Sequence, residues 1–162
     1  MNDNVKLKNN WKLWYHSIND NNWENNSYKL IYNISSINDI MIIKEYIQQN
    51  HLQNAMFFLM KGDIFPTWEY PENREGSSIS YKIPAQTLKE SWDLLFIRLI
   101  CEEILEDKEK VSEINGISIS PKKEFNIIKI WINNFNPNFI DTIQEYPPHF
   151  VKSKTIYRKH LN

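Results

Sequence analysis

The sequence predicts an α+β fold, with one antiparallel β-sheet and helices on one of its faces. Segments rich in β-branched and aromatic residues outnumber segments with helical periodicity. The two kinds do not alternate along the chain, as they would in a fold of parallel βαβ units. The chain has 162 residues, 41% of them hydrophobic, which is enough for one domain with its own core. We therefore expect a single domain over residues 1–162, with a short flexible N-terminus at about residues 1–8.

Seven segments have the composition of β-strands and are separated by polar or proline-containing stretches. In chain order they are residues 11–17, 28–34, 55–60, 79–83, 113–120, 125–132 and 152–159. The first two are dense in aromatic and β-branched residues, the third is a short apolar run, and the fourth alternates like a half-buried strand. The fifth and sixth flank a Pro-Lys-Lys turn, and the last belongs to the basic tail.

Three segments have the start signals of helices. The first follows Ser36, because an aspartate stands three residues later and apolar residues then recur at helical spacing. The longest follows Thr87, where a glutamate three residues later predicts a capping box before a strongly apolar helix face. A third, shorter helix is predicted to begin at Asn136, ahead of a proline, and to stop at Pro147.

Charge and cysteine content narrow the possible functions. The net charge of −1 argues against non-specific nucleic-acid binding, but residues 121–162 hold seven Lys and Arg against three Asp and Glu. This last quarter is therefore a candidate for a local phosphate site. The single Cys101 excludes an internal disulfide and suits a reducing compartment, and no apolar run is long enough to span a bilayer. We expect a cytoplasmic protein that does not act at a membrane.

Two tryptophans in polar loops, Trp23 and Trp68, are the strongest functional signal, because loops lie at the surface. An indole offers a large flat π-face, and Glu69 adds a carboxylate that only accepts hydrogen bonds. Together these groups can stack on a planar ring and bind the N–H edge of a guanine. The tryptophans on strand or helix patterns are expected to be core residues: Trp11, Trp14 and Trp92.

Three blocks of sequence carry a family resemblance. The first is Trp-Lys-Leu-Trp-Tyr at residues 11–15, followed by Trp23. The second is Met-Lys-Gly-Asp-Ile-Phe-Pro-Thr-Trp-Glu at residues 60–69, followed by Asn73. The third spans residues 114–131, from Ile-Asn-Gly to Ile-Trp. In order and spacing these blocks resemble the eukaryotic initiation factor 4E family, which binds the cap of messenger RNA.

The resemblance implies a single curved antiparallel sheet with about three helices on its convex face and a cap slot on its concave face. It implies that Trp23 and Trp68 sandwich 7-methylguanine, that Glu69 accepts from the guanine N–H groups, and that Trp131 packs on the 7-methyl group. The methylated base is cationic, so each stacked face contributes roughly 1–3 kcal/mol. The implied function is cap binding and recruitment of a scaffold for translation initiation, by a monomer. The chain resembles a divergent member of the family, as a protist or a large DNA virus could encode, and composition does not separate these two sources.

The expected phosphate site departs from the family pattern. The family places one basic residue at the hairpin turn and another some five positions later. Lys122 occupies the first place, with Lys123 beside it, but Ile127 fills the second and cannot contact phosphate. Lys129 follows two residues later, on the same strand face as Ile127. We expect Lys122, Lys123 and Lys129 to share the cap phosphates.

The expected partner surface departs from the family as well. The resemblance implies a helical partner peptide on the convex face, held in the family by an exposed tryptophan on the first helix. Met41 stands at that position, Ile37 and Ile97 keep apolar character, and Asp93 replaces an apolar residue. Methionine can line a groove, so a partner is expected. A core position for Met41, beside Ile40, is the alternative.

Other functions stay open at this point. They are a cap-binding repressor that recruits no scaffold, a general single-stranded RNA-binding module, and a decapping hydrolase. The hydrolase lacks its carboxylate cluster, and the chain has no phosphate-cradling glycine loop, no His-Glu-x-x-His and no cysteine pair for zinc. Cys101 is expected on an apolar helix face, unreactive. We therefore expect a binding protein with no catalytic residues, metal or cofactor.

Overall fold

A computed structural model describes residues 4–161. The strands of this part of the chain form one seven-stranded antiparallel sheet. In chain order the strands are β1 (Lys6–Ser17), β2 (Lys29–Ser36), β3 (Ala55–Lys61), β4 (Ser77–Ile83), β5 (Ile114–Pro121), β6 (Asn126–Ile132) and β7 (Thr155–Lys159). Their order across the sheet is β2-β1-β3-β5-β6-β4-β7. The sheet therefore runs from the N-terminal hairpin at one edge to the C-terminal strand at the other.

Helices cover one face of this sheet. Within residues 4–161 the α-helices are α1 (Ile37–Tyr46), α2 (Gln49–Asn54), α3 (Pro71–Arg74) and α4 (Leu88–Ile100). Apolar side chains of α1, α2 and α4 join one buried core with the strands, whereas α3 lies in the loop before β4. The predicted α+β class, with one antiparallel sheet and about three helices on one face, is confirmed. No helix in this part of the chain is long and apolar enough to cross a membrane.

Strand alternation separates the two faces of the sheet. In β3, Phe57 and Leu59 belong to the main core beneath the helices. Phe58 and Met60 lie on the other side, in a second cluster with Trp131 of β6. We call this second side, opposite the helices, the open face.

The strands and the two long helices lie where the sequence predicts them. α1 begins after Ser36, whose hydroxyl accepts a hydrogen bond from the Asp39 N–H at 3.3 Å. α4 begins after Thr87. The predicted flexible segment at residues 1–8 lies partly outside the described residues, and its described part enters β1 at Lys6.

Two predictions about helix ends are wrong. Thr87 does not form a capping box, because it is itself the last residue of a 3-10 turn, Ala85–Thr87, and its hydroxyl lies 3.0 Å from His149 Nε2. The third predicted helix is a 3-10 segment, Pro137–Thr142, because the next residue, Ile143, pairs with Leu105 in an isolated β-bridge.

Two short helices are not predicted from the sequence. α2 is capped by Gln48 and His51, which exchange hydrogen bonds in the geometry of a capping box without its usual residue types. α3 lies in the loop that carries Trp68, with Pro71 at its first position.

Candidate functional site

An aromatic cluster on the open face joins the loops that carry Trp23 and Trp68. Tyr28 ends the first loop, Phe65 belongs to the second, and Trp14 projects from β1. The Phe65 ring centroid lies 5.0 Å from Trp14 and 5.3 Å from Tyr28, both in edge-to-face geometry. Each such pair contributes roughly 0.5–1.5 kcal/mol beyond the buried area. The cluster therefore fixes both loops against the same face of the sheet.

Trp23 is 55% exposed and stacks on His16, with ring centroids 4.1 Å apart and planes 2° from parallel. His16 is fully buried, and its Nε2 lies 2.8 Å from the Asn22 carbonyl and 3.1 Å from Ser27 Oγ. A carbonyl only accepts, and Ser27 Oγ already donates to the Glu24 carbonyl, so Nε2 carries the proton. One face of the Trp23 indole is thus covered, and its other face is left to solvent.

Trp68 is 45% exposed, and the loop before it is held by the fully buried Asn73. The Asn73 amide donates to the carbonyls of Phe65 at 2.9 Å and Thr67 at 2.8 Å. Its oxygen accepts from the side chain of Asn115 on β5 at 2.9 Å. Asn73 therefore connects β5 to Thr67, the residue just before Trp68, by hydrogen bonds.

Glu69 is exposed and lies close enough to Tyr28 to influence its ionisation. Burial of the phenol, followed by the negative charge of Glu69, raises the pKa of Tyr28 to about 12. Among the described residues Glu69 forms no ion pair. Its carboxylate is therefore free to accept hydrogen bonds near the end of the loop that carries Trp23.

A cavity of about 420 Å³ lies on the open face and is lined by Trp68, Trp131 and Lys129. Trp131 is 8% exposed, and its Nε1 donates to Ser118 Oγ at 2.9 Å. That bond fixes the indole against β5. As strand alternation predicts, Ile127 lines the same cavity as Lys129 and Trp131. Trp23 and Glu69 are outside the cavity lining.

The three lysines expected near phosphate are divided between two places. Lys129 lines the cavity, where burial, then the positive charges of Lys122 and Arg158, lower its pKa. Lys122 and Lys123 are exposed at the turn between β5 and β6, outside the cavity lining.

Four functional side chains of this region are not singled out by sequence reasoning: His16, Arg158, Lys159 and His160. His16 follows Trp14 by two positions in a strand, so alternation alone places both on one face. Arg158, Lys159 and His160 line the cavity from the C-terminal tail. The signal for them was the excess of basic residues in the last quarter of the chain, which did not indicate particular positions.

The surface expected to bind a partner is largely exposed on α1. Ile37 is 45% exposed and Met41 53%, which excludes a core position for Met41. Ile97 is half-buried in a groove between α1 and α4. Asp93, in the same groove, forms an ion pair with Lys89 at 2.9 Å. This pair offsets the charge that the sequence places among apolar residues.

Within residues 4–161 no group of three or more His, Cys, Asp or Glu side chains is arranged to hold a metal ion. The expected position of Cys101 is wrong, since it is exposed at the C-terminal end of α4. Partial burial and the charge of Glu103 raise the pKa of its thiol, which disfavours the reactive thiolate.

Comparison with known proteins gives one consistent family. The family model described as eukaryotic initiation factor 4E matches residues 6–159. A eukaryotic translation initiation factor 4E homolog of Acanthamoeba polyphaga mimivirus is 24% identical over 138 residues, covering 72% of this chain and 51% of the relative. Eukaryotic translation initiation factor 4E-1 of Caenorhabditis elegans is 26% identical over 136 residues, covering 80% and 63%. The chain thus spans less than two thirds of either relative.

The fold is shared with solved structures. The complex of C. elegans eIF4E-3 with the 4E-binding protein Mextli and cap analog aligns with a TM-score of 0.72 at 22% identity. The alignment covers 81% of this chain and 75% of that chain. The seven-stranded sheet with helices on one face is therefore the architecture of these proteins.

Proposed function

We propose that this chain, which belongs to the eukaryotic initiation factor 4E family, binds the 7-methylguanosine 5′ cap of messenger RNA between Trp23 and Trp68. One observation carries the proposal: two half-exposed indoles stand on loops that a single aromatic cluster fixes to the open face. Large exposed aromatic rings held in place by buried residues are typical of stacking sites rather than of a core.

The chemistry of the ligand matches the groups around these indoles. The cationic base gains roughly 1–3 kcal/mol from each stacked face. Glu69 accepts from the guanine N1–H and amine in two charge-assisted bonds of about 1.5–3 kcal/mol each. Trp131, which lines the same cavity as Trp68, packs on the 7-methyl group. After the cost of immobilising the ligand, micromolar or tighter affinity is expected.

The test is a titration of tryptophan fluorescence with 7-methylguanosine triphosphate and with guanosine triphosphate. Loss of the methyl group removes the positive charge, so we expect at least about tenfold weaker binding of the second nucleotide, a difference of ~1.4 kcal/mol. Trp68→Ala and Glu69→Gln should each abolish or strongly weaken binding of the first. Tyr46→Ala, which removes a 68% exposed aromatic ring on α1, is the matched control and should leave binding unchanged.

The same titration separates the proposal from a general single-stranded RNA-binding module. Such a module stacks any base, so it binds an uncapped oligonucleotide as tightly as a capped one. Equal affinities for the two oligonucleotides would contradict cap recognition.

We further propose that the exposed apolar surface of α1 receives a helical peptide from a scaffold protein in the cytoplasm, with the chain acting as a monomer. Ile37 and Met41 present apolar surface to solvent, and Ile97 lies in the adjoining groove. A scaffold peptide should bind the native chain, and Met41→Asp should weaken that binding by at least about tenfold because it places a charge in an apolar contact. Cap binding without any binding of a scaffold peptide would instead indicate a repressor.

A further inference from the structure

The cavity lined by Trp68 carries positive charge without a neutralising partner. Lys129 of β6 and Arg158 of β7 both line it, as does Lys159, whose amine lies over the Phe135 ring, and its described lining contains no Asp or Glu. None of these three cations takes part in an ion pair anywhere in residues 4–161. A concave surface lined by charges of one sign attracts ligands of the opposite charge.

The shape of the cavity follows from the register of three neighbouring strands. On the open face, Ser78 of β4 stands between Trp131 and Arg158, and the neighbouring Ser80 stands between Lys129 and Ile156. The small serines form a floor between taller side chains on both sides. The result is a trough lined by two indoles, with cations on both sides and hydroxyl donors at its base.

We propose that this trough binds the phosphate chain attached to the cap base, with Lys129 and Arg158 as the two cations that hold it. The identity of the ligand rests on the proposed function. The phosphates then cross β6, β4 and β7, away from the turn that carries Lys122 and Lys123. Arginine suits this place, because its planar guanidinium binds two phosphate oxygens at once.

The electrostatic state of Lys129 agrees with this assignment. Burial and the positive charges of Lys122 and Arg158 lower its pKa, so these surroundings disfavour the protonated amine. A bound polyphosphate supplies the opposite charge and favours that protonated form. Phosphate affinity should therefore decrease at alkaline pH, as the Lys129 amine loses its proton.

The experiment compares three ligands by calorimetry at several salt concentrations: 7-methylguanosine, 7-methylguanosine triphosphate and inorganic tripolyphosphate. Arg158→Gln should weaken binding of the triphosphate and of tripolyphosphate by about tenfold and make their salt dependence shallower, but leave the nucleoside unchanged. Arg158→Lys should recover part of the loss. Lys154→Gln makes the same change of charge outside the trough and should have no effect.

Two results would overturn the inference. One is equal binding of tripolyphosphate by the Arg158→Gln and Lys154→Gln variants. The other is a loss of triphosphate affinity in Lys122→Gln but not in Arg158→Gln, which would place the phosphates over the turn. Failure of the native chain to bind the nucleoside tests the proposed function separately, because tripolyphosphate still reports on the trough.

Discussion

At the scale of single residues, a buried histidine orients the most exposed indole of the site. His16 covers one face of Trp23, and its Nε2 bonds the backbone carbonyl just before that tryptophan. Its Nδ1 is buried and has no hydrogen-bond partner among the described residues, so the ring is held by one nitrogen and by stacking. The histidine therefore acts as a positioning residue for the indole above it.

His16→Ala should weaken binding of 7-methylguanosine triphosphate by about two- to tenfold, because an aromatic stack contributes roughly 0.5–1.5 kcal/mol. His16→Phe restores a ring under Trp23 and should recover most of the affinity. Fluorescence titration measures both variants, at temperatures where thermal unfolding shows each to be folded. Tyr46→Ala, which removes an exposed aromatic ring from α1, is the control. Native affinity in a folded His16→Ala variant would rule out the positioning role.

Asn73 is the second residue whose removal should affect the site without touching the ligand. Asn73→Ala removes one hydrogen bond each from the Phe65 carbonyl, the Thr67 carbonyl and the Asn115 amide, three bonds in total. We expect a loss of roughly 2–4 kcal/mol in the free energy of unfolding, together with weaker cap binding. Urea denaturation measures the first effect. Asn133→Ala, at an exposed position, should change neither the free energy of unfolding nor cap binding. A similarly small effect of Asn73→Ala would show that Asn73 does not hold the loop of Trp68.

At the scale of elements, the start of α1 is held by reciprocal bonds. Ser36 accepts from the Asp39 N–H, while Asp39 accepts from the Ser35 N–H at 2.9 Å and from the Ser36 hydroxyl at 2.8 Å. This helix carries the proposed partner surface, with Met41 one turn beyond the cap. The cap thus connects the stability of α1 to the binding of a partner.

Ser36→Ala should lower the free energy of unfolding by about 1 kcal/mol, as loss of a helix cap usually does. The contribution of the Asp39 carboxylate to the free energy of unfolding depends on pH. Hydrogen bonds from Ser35 and Ser36 hold its carboxyl pKa below the ordinary 3.8, so its stabilisation is present above that value and is lost as the pH falls through the lowered pKa. Urea denaturation between about pH 2 and 6 should show a smaller acid dependence for Asp39→Asn than for the native chain. Glu45→Gln, exposed on the same helix, should keep the native dependence.

Elements with a strong period are predictable from the sequence, and contacts between distant segments are not. The seven strands and the helices after Ser36 and Thr87 follow from alternation and helical spacing. α2 escapes prediction because Gln48 and His51 cap it in place of the usual residues. The trough escapes prediction because Ser80, Lys129 and Ile156 meet only through the register of three strands.

At the scale of the whole molecule, the sheet brings together two half-sites from opposite ends of the chain. The Trp23 loop packs near β1, whereas the trough lies on β6, β4 and β7 at the far edge. The loop of Trp68 bridges them, since Phe65 contacts the first half and Trp68 lines the second. The strands between are closely packed: a Cβ on Gly116 of β5 would lie 2.2 Å from the Leu59 carbonyl of β3. Rigid spacing between the two halves follows from this packing.

The free energy of unfolding at alkaline pH should depend on the buried phenols of Tyr28 and Tyr81. Burial, then the charge of Glu69, raises the pKa of Tyr28 to about 12, and burial, then the charge of Glu145, raises that of Tyr81 as well. An unfolded tyrosine ionises near pH 10, so above that pH the unfolded chain loses protons that the folded chain keeps, and the free energy of unfolding falls.

The decrease should begin near pH 10 and continue toward pH 12, while full stability is kept at lower pH. Urea denaturation at about pH 9 and pH 11 measures it, and Tyr81→Phe should make it smaller, because the variant has one fewer buried phenol to ionise. Tyr46→Phe removes a phenol that is 68% exposed and should show the native pH dependence. Lysines also titrate in this range, but both variants keep them, so the difference between the variants isolates the phenol. If Tyr81→Phe and Tyr46→Phe lose stability equally between the two pH values, the buried phenol is not the cause.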